Sequence, residues 1–135
     1  MTKMKTTYLG HLHNEIEHLQ SGTKITTDAP LDNHGLGQSF SPTDLFASSL
    51  SCCMLTIIGI SAESYGFDIT GTTVDTEKVM NENPRRVGEL KLTVNLPEGK
   101  NYTDQQKRLI ESAIKTCPVG RSLNPDIKVD ITFNY

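Results

Sequence analysis

Apolar residues follow two different spacings along the chain. Val87 to Leu96 alternates cleanly, with Leu90, Leu92, Val94 and Leu96 on one face and Glu89, Lys91, Thr93 and Asn95 on the other, as a half-buried strand does. Ile127, Val129, Ile131 and Phe133 alternate in the same way and predict a final strand. A weaker alternation between residues 5 and 28 predicts two or three strands, with a turn at Gln20-Ser21-Gly22-Thr23 and the last strand over Lys24 to Thr27. Residues 67–80 predict a further strand, closed by a turn at Asn81-Glu82-Asn83-Pro84.

Helical signals are of two kinds. Ser41 can cap, Pro42 suits a first helical position and Asp44 stands where a capping acid belongs, so a helix opens at Ser41. It continues through Leu45, Phe46, Leu50, Met54, Ile57, Ile58 and Ala62 to about Tyr65, where Gly66 stops it. Its apolar residues lie all round, which predicts burial on nearly every side. Ala47, Ser48, Ser49, Ser51 and Gly59 leave room for another backbone to approach closely. The second helix starts at Thr103 with Gln106 completing a capping box. Its one apolar stripe is Leu109, Ile110, Ala113, Ile114 and Cys117, and Pro118 ends or kinks it. Residues 28–41 are a loop rich in Gly, Asn, Asp and Pro. Strands, long helix, two strands, helix and strand make an α+β fold with a largely antiparallel sheet, in one domain over residues 1–135.

Composition narrows the function. Thirteen basic residues against sixteen acidic ones leave no surplus to neutralise phosphates, and Trp is absent, so nucleic-acid binding is not expected. The longest apolar run, around Met54 to Ile60, is broken by Thr56 and Gly59 and is too short for a bilayer, and no secretory signal is evident. A cytoplasmic setting with reduced thiols is the expectation. Three cysteines are then fillers, metal ligands or reactive groups rather than a disulfide framework.

Cys52 and Cys53 lie mid-helix with side chains about 100° apart, so they cannot share one environment. Small buried fillers are the commoner fate of such residues. Cys117 is either a core cysteine at a helix end or a reactive thiol. If the chain restarts as a helical turn at Pro118, the helix dipole and Arg121 would both lower its pKa. His11 and His13 would share a face on a strand, but no third metal ligand of suitable spacing accompanies them. Gly35-Leu36-Gly37 lacks the context of a phosphate loop, and Arg85-Arg86 reads as a solvated hairpin tip.

Ser41-Pro42-Thr43-Asp44-Leu45-Phe46-Ala47 through Cys53 resembles the central-helix signature of the OsmC/Ohr family, the osmotically induced and organic hydroperoxide resistance proteins. Cys117-Pro118-Val119-Gly120-Arg121 is similar to the second motif of that family, and the element order agrees over nearly the whole chain. The resemblance implies an intertwined homodimer, with antiparallel sheets packed around long central helices and two active sites at the interface. It puts Cys53 in the peroxidatic position and Cys117 in the resolving one, and gives Cys52 no role. It implies a small organic hydroperoxide as substrate and a dithiol reductant, without a cofactor. Phe46, Met54 and Ile57 are candidates for an apolar lining, core packing being the commoner use of each.

The better-known peroxidases of that family pair an Arg from the N-terminal half with an acid just after the first-helix Pro. No Arg precedes Arg85 here, as in the OsmC-like branch. Asp44 stands near the acid's place. Lys24, His34 or Arg121 is left to replace the missing cation, with Arg121 preferred for its spacing from Cys117. The alternative reading is a non-enzymatic dimer of the same fold that holds an apolar ligand or protects against stress.

Overall fold

Two tight turns organise the first forty residues. His11 and Leu12 both take positive φ, 53° and 62°, which reverses a hairpin in two residues. Gly22 donates its N–H to the His18 carbonyl at 2.8 Å and closes the second turn. The computed structural model describes all 135 residues, and between these turns run β1 (Met4–Gly10), β2 (His13–His18) and β3 (Lys24–Asp28), paired antiparallel in that order. His11 therefore sits in a turn and not on the strand that carries His13, so the shared face expected of the two imidazoles does not form.

These strands belong to the first of two compact units, Met1–Phe46 and Ala47–Tyr135. The loop after β3 folds back on Asp28. The Asp28 N–H donates to the Phe40 carbonyl at 3.1 Å, and its buried carboxylate accepts the Gln38 N–H at 3.0 Å. Gly35 passes so close that a Cβ there would meet the Ala29 carbonyl oxygen at 1.7 Å, so only hydrogen fits. The buried residues of this unit are Thr27, Asp28 and Ser41, all polar. Met4, Tyr8, Leu9, Ile25, Leu31 and Phe40 are exposed.

Helix α1 (Pro42–Tyr65) begins as expected. The Ser41 hydroxyl accepts the Asp44 N–H at 3.1 Å, and Asp44 Oδ2 accepts the Ser41 N–H at 2.8 Å, a reciprocal pair that satisfies two otherwise orphaned donors. Its charged residues are Asp44 and Glu63, near the two ends. At 24 residues it is long and apolar enough, by length and composition, to cross a membrane. The run-length reading missed this because Thr56 and Gly59 interrupt the apolar residues without adding charge. The expected burial on nearly every side is not reached within one chain. Ala47, Leu50, Ser51, Met54, Ile58 and Ala62 form one buried stripe, while Cys52, Thr56, Ile60 and Glu63 are exposed on another.

In the second unit that stripe packs on β4 (Thr73–Asn81), β5 (Arg86–Asn95) and β6 (Lys128–Asn134), with β5 central. Leu50, Met54, Ile58, Leu90 and Val94 are fully buried, each contributing about 1.5–3 kcal/mol relative to exposure. The Ser51 and Thr76 hydroxyls hydrogen-bond and tie α1 to β4. The β4–β5 pair is antiparallel as expected, but β6 lies parallel to β5. The chain between them passes through α2 (Asp104–Ser112) and α3 (Pro118–Arg121) and returns in the same direction, as a helical crossover does. β4 starts later than expected because Asp68 accepts the Thr70 N–H and hydroxyl at 3.0 and 2.7 Å and turns the chain. The Thr103/Gln106 capping box opens α2.

Candidate thiol site

Cys117 owes its position to the proline after it. A residue before proline is pushed out of the α region, and Cys117 takes φ −65°, ψ 116°. The preceding helix therefore stops early, tightening to a 3₁₀ turn over Ala113–Lys115 instead of running on to Cys117. Pro118 then occupies the first position of α3, and Cys117 becomes its N-cap. Its Sγ accepts the Gly120 N–H at 3.4 Å. The side chain has no exposed surface.

The partner of Cys117 is Cys53. Cys53 is the side chain that acts on the Cys117 thiol, through hydrogen bonding and charge, and both cysteines are free. Cys53 is half-buried on α1 against the core cluster, one turn beyond the fully buried Leu50. Two thiols from distant parts of the sequence are thus near enough for Cys53 to shift the ionisation of Cys117. Cys52 points elsewhere and is exposed.

The Cys117 thiol is pushed above its ordinary value of 9.0. Burial is the largest cause, because it disfavours the thiolate, and the hydrogen bond to Cys53 adds to it. The Gly120 N–H opposes this, as does the Val119 N–H, and the Cys53 charge reinforces it. The lowering expected from a helix terminus is present but outweighed, and Arg121 is not among the causes of the shift. The two amides pull in the expected direction but lose to burial. Arg121 is exposed, and its backbone N–H donates to the Cys117 carbonyl at 3.0 Å.

A raised thiol pKa has a consequence for stability. Below about pH 8.5 folded and unfolded Cys117 are both protonated and the group contributes no pH dependence. Above that the unfolded thiol ionises while the folded one keeps its proton, so stability falls as pH climbs toward the folded pKa. We expect the melting temperature of the wild type to drop more steeply than that of Cys117→Ser between about pH 8.5 and 10.5, a range set by the ordinary thiol pKa. Thermal scans at stepped pH compare the two slopes.

The other proposed residues take up different positions. Asp44, in the first unit, serves the α1 cap described above. Lys24 Nζ lies 3.5 Å from Glu15 Oε1 on the sheet surface, and His34 is exposed in a left-handed turn. Met54 is wholly within the core, so it packs rather than lines a pocket; Ile57 is half-buried against the same core and Phe46 is partly exposed. The amides of Val119 and Gly120 are the parts of the site that sequence reasoning missed. Their signal was present: a side chain that caps, followed by proline at the first helical position, directs the next two amides toward the capping atom.

Comparison with known proteins places the chain. A solved structure from Psychrobacter arcticus, whose name proposes an osmotic stress and detoxification role, is 45% identical, superposes with a TM-score of 0.93 and is covered to 96% by 99% of this chain. An uncharacterized protein of Acinetobacter baylyi is 32% identical over 108 residues, which are 78% of this chain and 74% of that protein. The structure of a Legionella pneumophila protein named for organic hydroperoxide resistance shares the fold at 17% identity, with a TM-score of 0.79 over 100% of this chain and 97% of the other. The model of the OsmC-like protein family matches residues 35–132, a span that includes both thiols, and the chain belongs to that family.

Proposed function

We propose that this protein is a cytoplasmic, homodimeric thiol peroxidase that reduces small organic hydroperoxides. The observation that carries the reading is that the fold brings Cys53 of α1 close enough to the buried Cys117 to act on its thiol. Peroxide reduction by a pair of thiols needs one sulfur able to react as a thiolate and a second close enough to resolve the product.

Cys53, the more accessible of the two, is the attacking group. Its thiolate forms a bond to the terminal oxygen of the hydroperoxide. The O–O bond breaks, and the departing alkoxide takes a proton and leaves as an alcohol. Cys53 is left as a sulfenic acid, oxidised by two electrons. Cys117 keeps its proton in the resting site because burial and the Cys53 charge both disfavour its thiolate. It then attacks the sulfenic sulfur, its proton leaves with the hydroxide as water, and a Cys53–Cys117 disulfide forms. A dithiol reductant returns both sulfurs to thiols and takes up the oxidation as its own disulfide. Arg121, exposed in the single chain, is proposed as the source of the cation that a Cys53 thiolate requires.

Titration of thiols before and after sub-stoichiometric cumene hydroperoxide tests this. Each equivalent of peroxide should remove two thiols from the wild type and be matched by an equivalent of alcohol. No loss of thiols rejects the peroxidase and favours a non-enzymatic dimer of the same fold.

A further inference from the structure

Gly120 has a helical backbone that any residue could adopt, so conformational freedom does not explain it. Space does. A Cβ at this position would lie 3.2 Å from Ile114 Cδ1 and 3.6 Å from both the Ile114 carbonyl oxygen and Leu50 Cδ1. The first of these is closer than ordinary van der Waals contact, so α3 or the Ile114 side chain would have to give by a few tenths of an ångström. Leu50 belongs to the same face of α1 as Cys53 and precedes it by three residues. Gly120 therefore occupies the point at which the turn bearing Cys117 presses on the helix bearing Cys53. The same residue donates its N–H to Cys117 Sγ at 3.4 Å.

We propose that Gly120 is a positioning residue that sets the separation of the two sulfurs: its missing side chain lets α3 seat against Leu50 and Ile114, and its N–H holds Cys117 Sγ toward Cys53. This deepens the reading of Cys53 and Cys117 as a redox pair and rests on it. A sulfur held in place reacts at a high effective concentration, and displacing the turn by a fraction of an ångström lowers it. Alanine is a better helix former than glycine, so Gly120→Ala does not weaken α3 through propensity. Any loss comes from the added methyl.

The test avoids peroxide. In a Cys52→Ser background, the protein is equilibrated with mixtures of glutathione and glutathione disulfide. Glutathione disulfide oxidises the Cys53–Cys117 pair and is reduced to two glutathione thiols, and the oxidised fraction reports the effective concentration of the pair. Gly120→Ala should lower it about tenfold, by analogy with the cost of small misplacements at reacting groups. Ile114→Val removes the Cδ1 that the new methyl meets. The Gly120→Ala, Ile114→Val double variant should therefore return to within about twofold of Ile114→Val alone, a rescue that general destabilisation would not produce. Three results overturn the assignment: an unchanged value for Gly120→Ala, a double variant no better than Gly120→Ala, or a parent pair that forms no disulfide under these conditions. A parent pair that forms it, with the predicted loss and rescue, yet leaves cumene hydroperoxide untouched, rejects the peroxidase and leaves Gly120 in its positioning role.

Discussion

Replacing Cys53 by serine should abolish hydroperoxide turnover, a loss on the order of a thousandfold or more, as removal of a covalent nucleophile produces elsewhere. Replacing Cys52 should leave turnover close to the wild-type rate. The two residues are adjacent and chemically identical, so the contrast isolates geometry. Cys53 lies close enough to Cys117 to raise its thiol pKa, whereas Cys52 is turned about 100° away and exposed. Cys117 cannot stand in for a missing Cys53, because it is fully buried and holds its proton above the ordinary thiol range. Serine is nearly isosteric with cysteine, so the melting temperature of each variant shows whether α1 still packs. Peroxide consumption is followed with a dithiol reductant in excess. Equal losses in the two variants would mean that the packing of the helix, not one sulfur, governs activity, and the assignment of Cys53 would fall.

What could be read from the chain was what local chemistry decides. Ser41, Pro42 and Asp44 announce the start of α1, and Thr103 with Gln106 announces α2, because a cap is made among residues three apart. Alternation from Val87 to Leu96 announces a strand and its buried face, but alternation does not name a partner, and the parallel pairing of β6 with β5 was not legible. The thiol site divides along the same line. Cys117 before Pro118 signals an N-cap, and the amides that pull its pKa down follow from that. Burial, which pushes it up and prevails, comes from core residues far away in sequence. His11 failed for a local reason of another kind: a non-glycine pair, His11 and Leu12, adopts the left-handed turn that glycine and asparagine usually mark. Asp68 was overlooked because its neighbours Phe67 and Ile69 suggest a strand, while its side chain had already turned the backbone.

Ile60→Asp should convert a dimer into a monomer or an unfolded chain. A helix designed to face water on one side carries charge there, yet α1 has no charged residue between Asp44 and Glu63. Its outward stripe instead offers Cys52, Thr56 and Ile60, with Ile60 56% exposed in the single chain. The first unit points the same way, since its buried residues are polar and its large apolar side chains lie outside. Surfaces of this kind mark an interface. We propose a second copy of the chain as the cover, the intertwined homodimer that the sequence motifs led us to expect. An aspartate costs little where Ile60 is exposed. Enclosed between two helices it is an uncompensated charge, at about 3–5 kcal/mol each, and twofold symmetry places two of them in the assembly. The dissociation constant should then rise by at least about four orders of magnitude. Sedimentation in detergent-free buffer provides the measurement. The wild type should run as a dimer at micromolar concentration, and Ile60→Asp should not. A wild type that sediments as a stable monomer refutes the interface. A wild type that stays soluble only with detergent or vesicles instead assigns the apolar surface of α1 to a membrane.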